Sequence, residues 1–198
     1  MKNGPIDNAG IGHNQGPSML AGSWSGYCWT RARREIWDNP PIEVVRRRKR
    51  RADELGLTYR QYTGVMLDKG TRTEALVIDL SRLETTLHPA PIESVAAKLR
   101  QVRNCKIFAA VETVGFVVDE INRMAGDVIT DCAVYPRAVT VRPTLEETLA
   151  PVLDLLQRNV VAPAAAIMIG DGRQALSIAA SARLARVFPY GAYFGRAY

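Results

Sequence analysis

The chain has 198 residues, 47% of them apolar and 23% charged, enough to bury one good core with a small appendage, and its formal net charge is +6. No run of eighteen or more apolar residues occurs, and the opening "MKNGPIDNAGIGHNQGPSML" lacks the apolar centre of a secretory signal, so a cytoplasmic protein with no membrane partner is expected. Cys28, Cys105 and Cys132, odd in number and without a CxxC pair, fit neither a disulfide framework nor a zinc site and read as reduced, mostly buried thiols; His13 and His88 are too few for a histidine-built metal centre.

Residues 1–22 are rich in Gly, Asn and Pro with almost no apolar periodicity, which predicts a flexible leader. Residues 23–70 form a basic helical segment. It holds Trp24, Trp29 and Trp37, read as packing anchors, and up to Gly70 the chain carries 12 Lys or Arg against 7 Asp or Glu; beyond it the balance is 14 against 13. "NPPIEVVRRRKRRADEL" starts on a proline pair suited to a first helical turn, has Glu43 where the helix dipole favours an anion, and stops at Gly56. Thr58 is a good N-cap for a second helix, "YRQYTGVMLDKG", that ends at Gly70. The pair resembles a helix-turn-helix. Two readings stay open: Arg46, Arg47, Arg48, Lys49, Arg50 and Arg51 neutralise phosphates while Thr58, Tyr59, Arg60 and Gln61 face a groove, or the basic run is a solvated helix face.

From Thr71 to Tyr198 apolar runs of strand length alternate with segments of helical period. "EALVIDL", "KIFAAVE", "DVITDCAV", "AAAIMIG" and "ARVFPY" are the strands; "PIESVAAKLRQVRN", "VGFVVDEINRMAG", "TLEETLAPVLDLLQRN" and "RQALSIAASARLA" are the helices between them. Five strands alternating with four helices predict an α/β domain with a doubly wound, five-stranded parallel sheet, because a parallel crossover needs a helix and strands buried on both faces lose their polar alternation. Ligands of such sheets bind beyond the carboxyl ends of the strands. That singles out Asp79, Thr113 and Asp171.

An Asp ending the first strand in "VIDLSRLETTL", a Thr ending the second in "FAAVET", a basic residue in "VRPTLEETL" and Gly-Asp ending the fourth in "MIGDGRQALSIAASARLARVF" resemble, in order and spacing over residues 71–198, the four motifs of the haloacid dehalogenase-like hydrolase superfamily. The resemblance implies a Rossmann-like sheet and phosphoryl transfer through an aspartyl-phosphate with Mg²⁺. It also implies a capless member, since about a dozen residues separate Asp79 from "PIESVAAKL". Asp79 would be the nucleophile, Thr113 and Arg142 would bind the transferring phosphoryl group, and Asp171 would share Mg²⁺ with Asp79. Besides Arg142, where the superfamily usually has Lys, the sequence makes three departures from the pattern. Ser81 stands where a general acid is usual, Arg82-Leu83 where Gly-Thr is usual, and Ala175 where a further acid is usual. These point to a weakened or specialised phosphohydrolase acting on or binding a phosphorylated ligand. The alternative is a non-enzymatic nucleic-acid-binding or regulatory protein that works through the basic helix pair.

Overall fold

The computed structural model describes residue 28 and residues 40–84, 89–113, 115–136 and 144–195. The expected leader, the three tryptophans, both histidines and Arg142 lie outside the described residues. The chain divides into two compact units, 1–46 and 47–198, the division falling within helix α1, Ile42–Glu54. In the first unit Cys28 is exposed, the Pro41 carbonyl accepts from the Val44 and Val45 amides, and Glu43 pairs with Arg46 at the surface.

In the second unit α1 closes at Gly56, whose φ of 66° lets the Leu57 amide turn back onto the Ala52 carbonyl at 2.9 Å. Helix α2, Tyr59–Lys69, opens on a capping box in which the Thr58 side chain accepts from the Gln61 amide and the Gln61 side chain accepts from the Thr58 amide. It ends at Gly70 in the left-handed conformation. Then come β1 (Ala75–Asp79), the one-turn α3 (Ser81–Glu84), α4 (Pro89–Leu99), β2 (Lys106–Val111), α5 (Phe116–Ala125) and β3 (Ile129–Val134). After these follow α6 (Leu145–Arg158), a 3-10 turn (Pro163–Ala165), β4 (Ala166–Ile169), α7 (Gly172–Ser181), β5 (Arg186–Phe188) and α8 (Tyr190–Phe194).

The five strands form one sheet in the order β3-β2-β1-β4-β5, every pairing parallel, so the expected doubly wound α/β architecture is present. Alternation along the strands sorts the core into two layers. Leu76, Ile78, Ile107, Ala109, Val111, Ile167 and Ile169 pack beneath one face with residues of α2, α4, α5 and α8, together with Ala52 and Leu55. Val77, Phe108, Ala110, Ala133, Ala166 and Met168 pack beneath the other with α6 and α7. β1 and β4 are buried along their whole length, which is why they read as unbroken apolar runs. The helix pair therefore shares its core with the sheet from residue 47 onward. α8 ties the two together, because Tyr193 Oη donates to the Leu55 carbonyl at 2.8 Å and Gln61 Nε2 donates to the Ala192 carbonyl at 3.1 Å.

Arg51 is the staple at the amino ends of the central strands. Its Nη2 donates to the carbonyls of Thr73 at 2.8 Å and Asn104 at 3.0 Å, its Nη1 to the Arg103 carbonyl at 3.4 Å, and Glu54 takes Nη1 at 2.6 Å. One member of the basic run is thus spent on holding α1 to the segments that lead into β1 and β2. No helix among the described residues is long and apolar enough to cross a membrane. All three cysteines are free, but none is fully buried, contrary to the expectation: Cys28 is exposed and the other two are half-buried. Burial pushes the Cys105 thiol up to about 12.

The edge strand β3 is anchored by Asp131. Arg158 grips its carboxylate as a fork, Nε to Oδ2 at 2.8 Å and Nη2 to Oδ1 at 2.9 Å, and Asn159 Nδ2 and the Cys132 amide complete the ring of donors. Arg158 above all holds the carboxyl at about 2, well below the usual carboxylate range. A carboxylate depressed in the fold stabilises it above the unfolded value and loses that contribution as pH falls through its folded value. Urea titrations should therefore show stability falling between about pH 4 and pH 2. Asp131→Asn should flatten that fall and cost about 1 kcal/mol at neutral pH, once solvent screening of this partly exposed pair is allowed for.

Candidate functional site

The strand order reverses between β1 and β4: from β1 the chain builds outward through β2 to β3, then returns to place β4 on the other side of β1. Chains leave the carboxyl ends of these two neighbours toward opposite faces of the sheet, and the crevice so opened is where ligands of doubly wound folds bind. Asp79 ends β1 and Asp171 lies two residues beyond the end of β4. The two expected metal ligands thus stand at the same end of the sheet, on its adjacent central strands.

Asp79 is buried. Its Oδ1 accepts from the Ser81 hydroxyl at 2.6 Å and from the Ser81 amide at 3.1 Å, a local clasp made possible because α3 begins immediately after the strand. The opposite wall is Gly170. A Cβ at that position would sit 3.0 Å from Asp79 Cβ and 3.1 Å from Ala175 Cβ, closer than side chains tolerate, so glycine is what lets the acid, the β4 turn and the first turn of α7 meet. Asp171 occupies the N-cap position of α7 but makes no side-chain capping bond to it among the described residues; its Oδ1 instead accepts from the Tyr190 amide at 3.0 Å. Its carboxylate therefore joins the end of β4 to the start of α8.

Thr113 lies in the exposed turn after β2, and the Glu84 carboxylate receives its amide at 2.9 Å and that of Glu112 at 2.8 Å. Glu84 was not singled out from the sequence. It sits on α3, five residues after Asp79, and fastens the turn after β2 to the turn after β1. Tyr135 was missed as well. It follows β3 directly, is 2% exposed, and its hydroxyl has no hydrogen-bond partner among the described residues. Burial, with the nearby charge of Asp79, pushes its phenol above the ordinary range, so it stays a neutral donor. A buried unmatched hydroxyl costs about 1–3 kcal/mol. Arg142 and the side chain of Arg82 lie outside the described residues.

Among the described residues no three His, Cys, Asp or Glu side chains are grouped to hold a metal ion. Mg²⁺ takes one or two carboxylates when substrate phosphate and water complete its octahedron. Asp79 and Asp171 offer that many hard oxygens, and Ala175, fully buried and apolar, offers none where a further acid is usual. The donor set fits an ion that arrives with a phosphate.

Among the basic-segment residues, Arg46, Arg47, Lys49, Arg50 and Arg60 are exposed, Arg48 is half-buried and Arg51 is buried. Thr58 and Gln61 are engaged with each other in the capping box, and Gln61 also with Ala192. Compared with known proteins, the chain matches no protein-family model, no curated protein and no solved structure.

Gly170→Ala should lower stability by about 1–3 kcal/mol in urea denaturation, because the added methyl overpacks the contact with Asp79 and Ala175. Gly191→Ala is the control. A Cβ there meets nothing within 4 Å on the exposed side of α8, and helix propensity should raise stability by about 0.5–1 kcal/mol.

Proposed function

We propose that the crevice between β1 and β4 binds a phosphorylated ligand, and that the protein is a weakened phosphohydrolase of the haloacid dehalogenase-like kind. The observation that carries this reading is the buried Asp79 at the switch point of the sheet, pressed against Gly170 and one strand away from Asp171.

In this reading a carboxylate oxygen of Asp79 attacks phosphorus, the bond to the leaving oxygen breaks with its electron pair going to the leaving group, and an aspartyl-phosphate forms. Water then attacks that phosphorus, returning the carboxylate and releasing inorganic phosphate. Mg²⁺, when bound, supplies positive charge to the phosphoryl oxygens, with Asp79 and Asp171 as its protein ligands. Ser81 clasps Oδ1 and so fixes the nucleophile's orientation, but a hydroxyl of high pKa protonates a leaving group poorly. Slow chemistry that favours aryl phosphates follows, since a stable phenolate leaves without a proton.

With p-nitrophenyl phosphate and Mg²⁺, slow turnover is expected, and Asp79→Asn should abolish it while leaving the circular dichroism spectrum and melting temperature nearly unchanged. Ser81→Asp should raise turnover about a hundredfold by restoring an acid at that position. Inert wild-type and Ser81→Asp proteins, both folded and neither binding phosphate in the presence of Mg²⁺, would remove the hydrolase reading.

A further inference from the structure

A basic cleft lies at the end of the sheet away from Asp79. Arg47, Arg48, Arg50, Arg51, Tyr62 and Arg72 line a cleft of about 380 Å³, with Met66 and Glu54 completing its wall. Five arginines and a single carboxylate thus line it, and that carboxylate is already paired with Arg51 at 2.6 Å. Because Arg51 binds the carbonyls of Thr73 and Asn104, which precede β1 and β2, the cleft sits by the amino ends of the central strands. The five residues of β1, at about 3.3 Å each, put roughly 16 Å of strand between it and Asp79.

Mutual repulsion would drive exposed arginines on a helix apart into water, yet here four from α1 and one from the segment before β1 share a concave surface. Arg51 is the one of these arginines held inside the fold. The residue is only 7% exposed, four of its hydrogen bonds are accounted for through Nη1 and Nη2, and Nε has no acceptor among the described residues. A buried donor on a cation is costly to leave unmatched.

We propose that this cleft is a second anion site, which takes a small oligophosphate, the phosphate end of a nucleotide or a free polyphosphate, independently of Asp79. Guanidinium forks match phosphate oxygens in pairs, and the volume suits a small phosphorylated molecule. A long nucleic acid is the less favoured occupant. The cleft is confined, and Thr58 and Gln61 of the would-be reading helix are spent on its cap and on Ala192. A ligand here bridges α1, α2 and the Arg72 segment that feeds β1, so its binding stabilises the amino end of the sheet rather than feeding substrate to the carboxyl end.

The test is calorimetric titration of the full chain with inorganic tripolyphosphate and with ATP, both without Mg²⁺, at low salt. One saturable site is expected, with a rise in melting temperature. Arg72→Ala and Arg47→Ala, both at exposed positions, should each weaken it about tenfold. The Asp79→Asn, Asp171→Asn double variant should bind as the wild type does, which separates this site from the hydrolase reading. Equal binding of both probes points to free phosphate chains, and tighter ATP binding to a nucleotide; either supports the site. Absence of binding overturns it. So does loss of binding in the Asp79, Asp171 variant, which would assign the heat to the crevice. Binding of DNA or RNA alone, weakened as much by Lys49→Ala or Arg60→Ala as by Arg72→Ala, would replace the cleft by a diffuse nucleic-acid surface.

Discussion

The contact between Gly170 and Asp79 governs the carboxyl end of the sheet. β1 and β4 are hydrogen-bonded neighbours buried on both faces, and the turn leaving β4 passes close to the end of β1 at Gly170. A Cβ at Gly170 would require Asp79 or Ala175 to give way by a few tenths of an ångström. With glycine the turn stays low, the carboxylate of Asp79 is held against it, and Asp171 projects from the next position to join the start of α8. The short α3 then becomes a brace: Ser81 clasps the acid at one end of the helix while Glu84 clasps the turn after β2 at the other. Glu84 thereby links the turns after β1 and β2, and Asp171 links the turn after β4 to the start of α8, each carboxylate accepting from backbone amides.

Charge is distributed along the sheet with a clear polarity. Acids gather at the carboxyl ends of the strands, and guanidinium groups gather at the amino ends through Arg51, Arg72 and the run on α1. The reverse placement would be expected if the basic segment served to draw an anionic substrate toward Asp79. The observed one sets acids and guanidinium groups at opposite ends of the sheet, about a strand's length apart.

Most of the architecture was legible because burial on both faces writes strands as unbroken apolar runs, and because the caps are local. Thr58, Gly70 and the alternation of strand and helix from Thr71 onward needed no tertiary knowledge. What escaped was short or depended on distant partners. α3 and α8 are each a turn or so long, below the reach of periodicity, and Glu84 gains its role only from a turn 28 residues away. Tyr135 resembles any other aromatic at a strand end until its environment is known. Arg51 hid among five like-charged neighbours, although helical spacing places it on the same side as the fully buried Leu55 one turn on. That spacing was the available signal. Of the expected site, Asp79 and Asp171 are brought to the same end of adjacent strands, while Thr113 is engaged through its amide rather than presented by a buried strand.

An open parallel sheet has two outer strands whose unpaired amides and carbonyls invite a strand from another molecule. Here β5 is only three residues long and begins with Arg186, which reaches Asp68 at 3.1 Å, so one border offers little backbone to copy. The other border, β3, is longer, and it carries the Asp131 and Arg158 fork along its length. A strand added there would have to strip water from a charged pair for each molecule joined. The same fork that anchors β3 to α6 thus sets a charged pair beside this border, the kind of device by which sheets discourage the addition of a further strand.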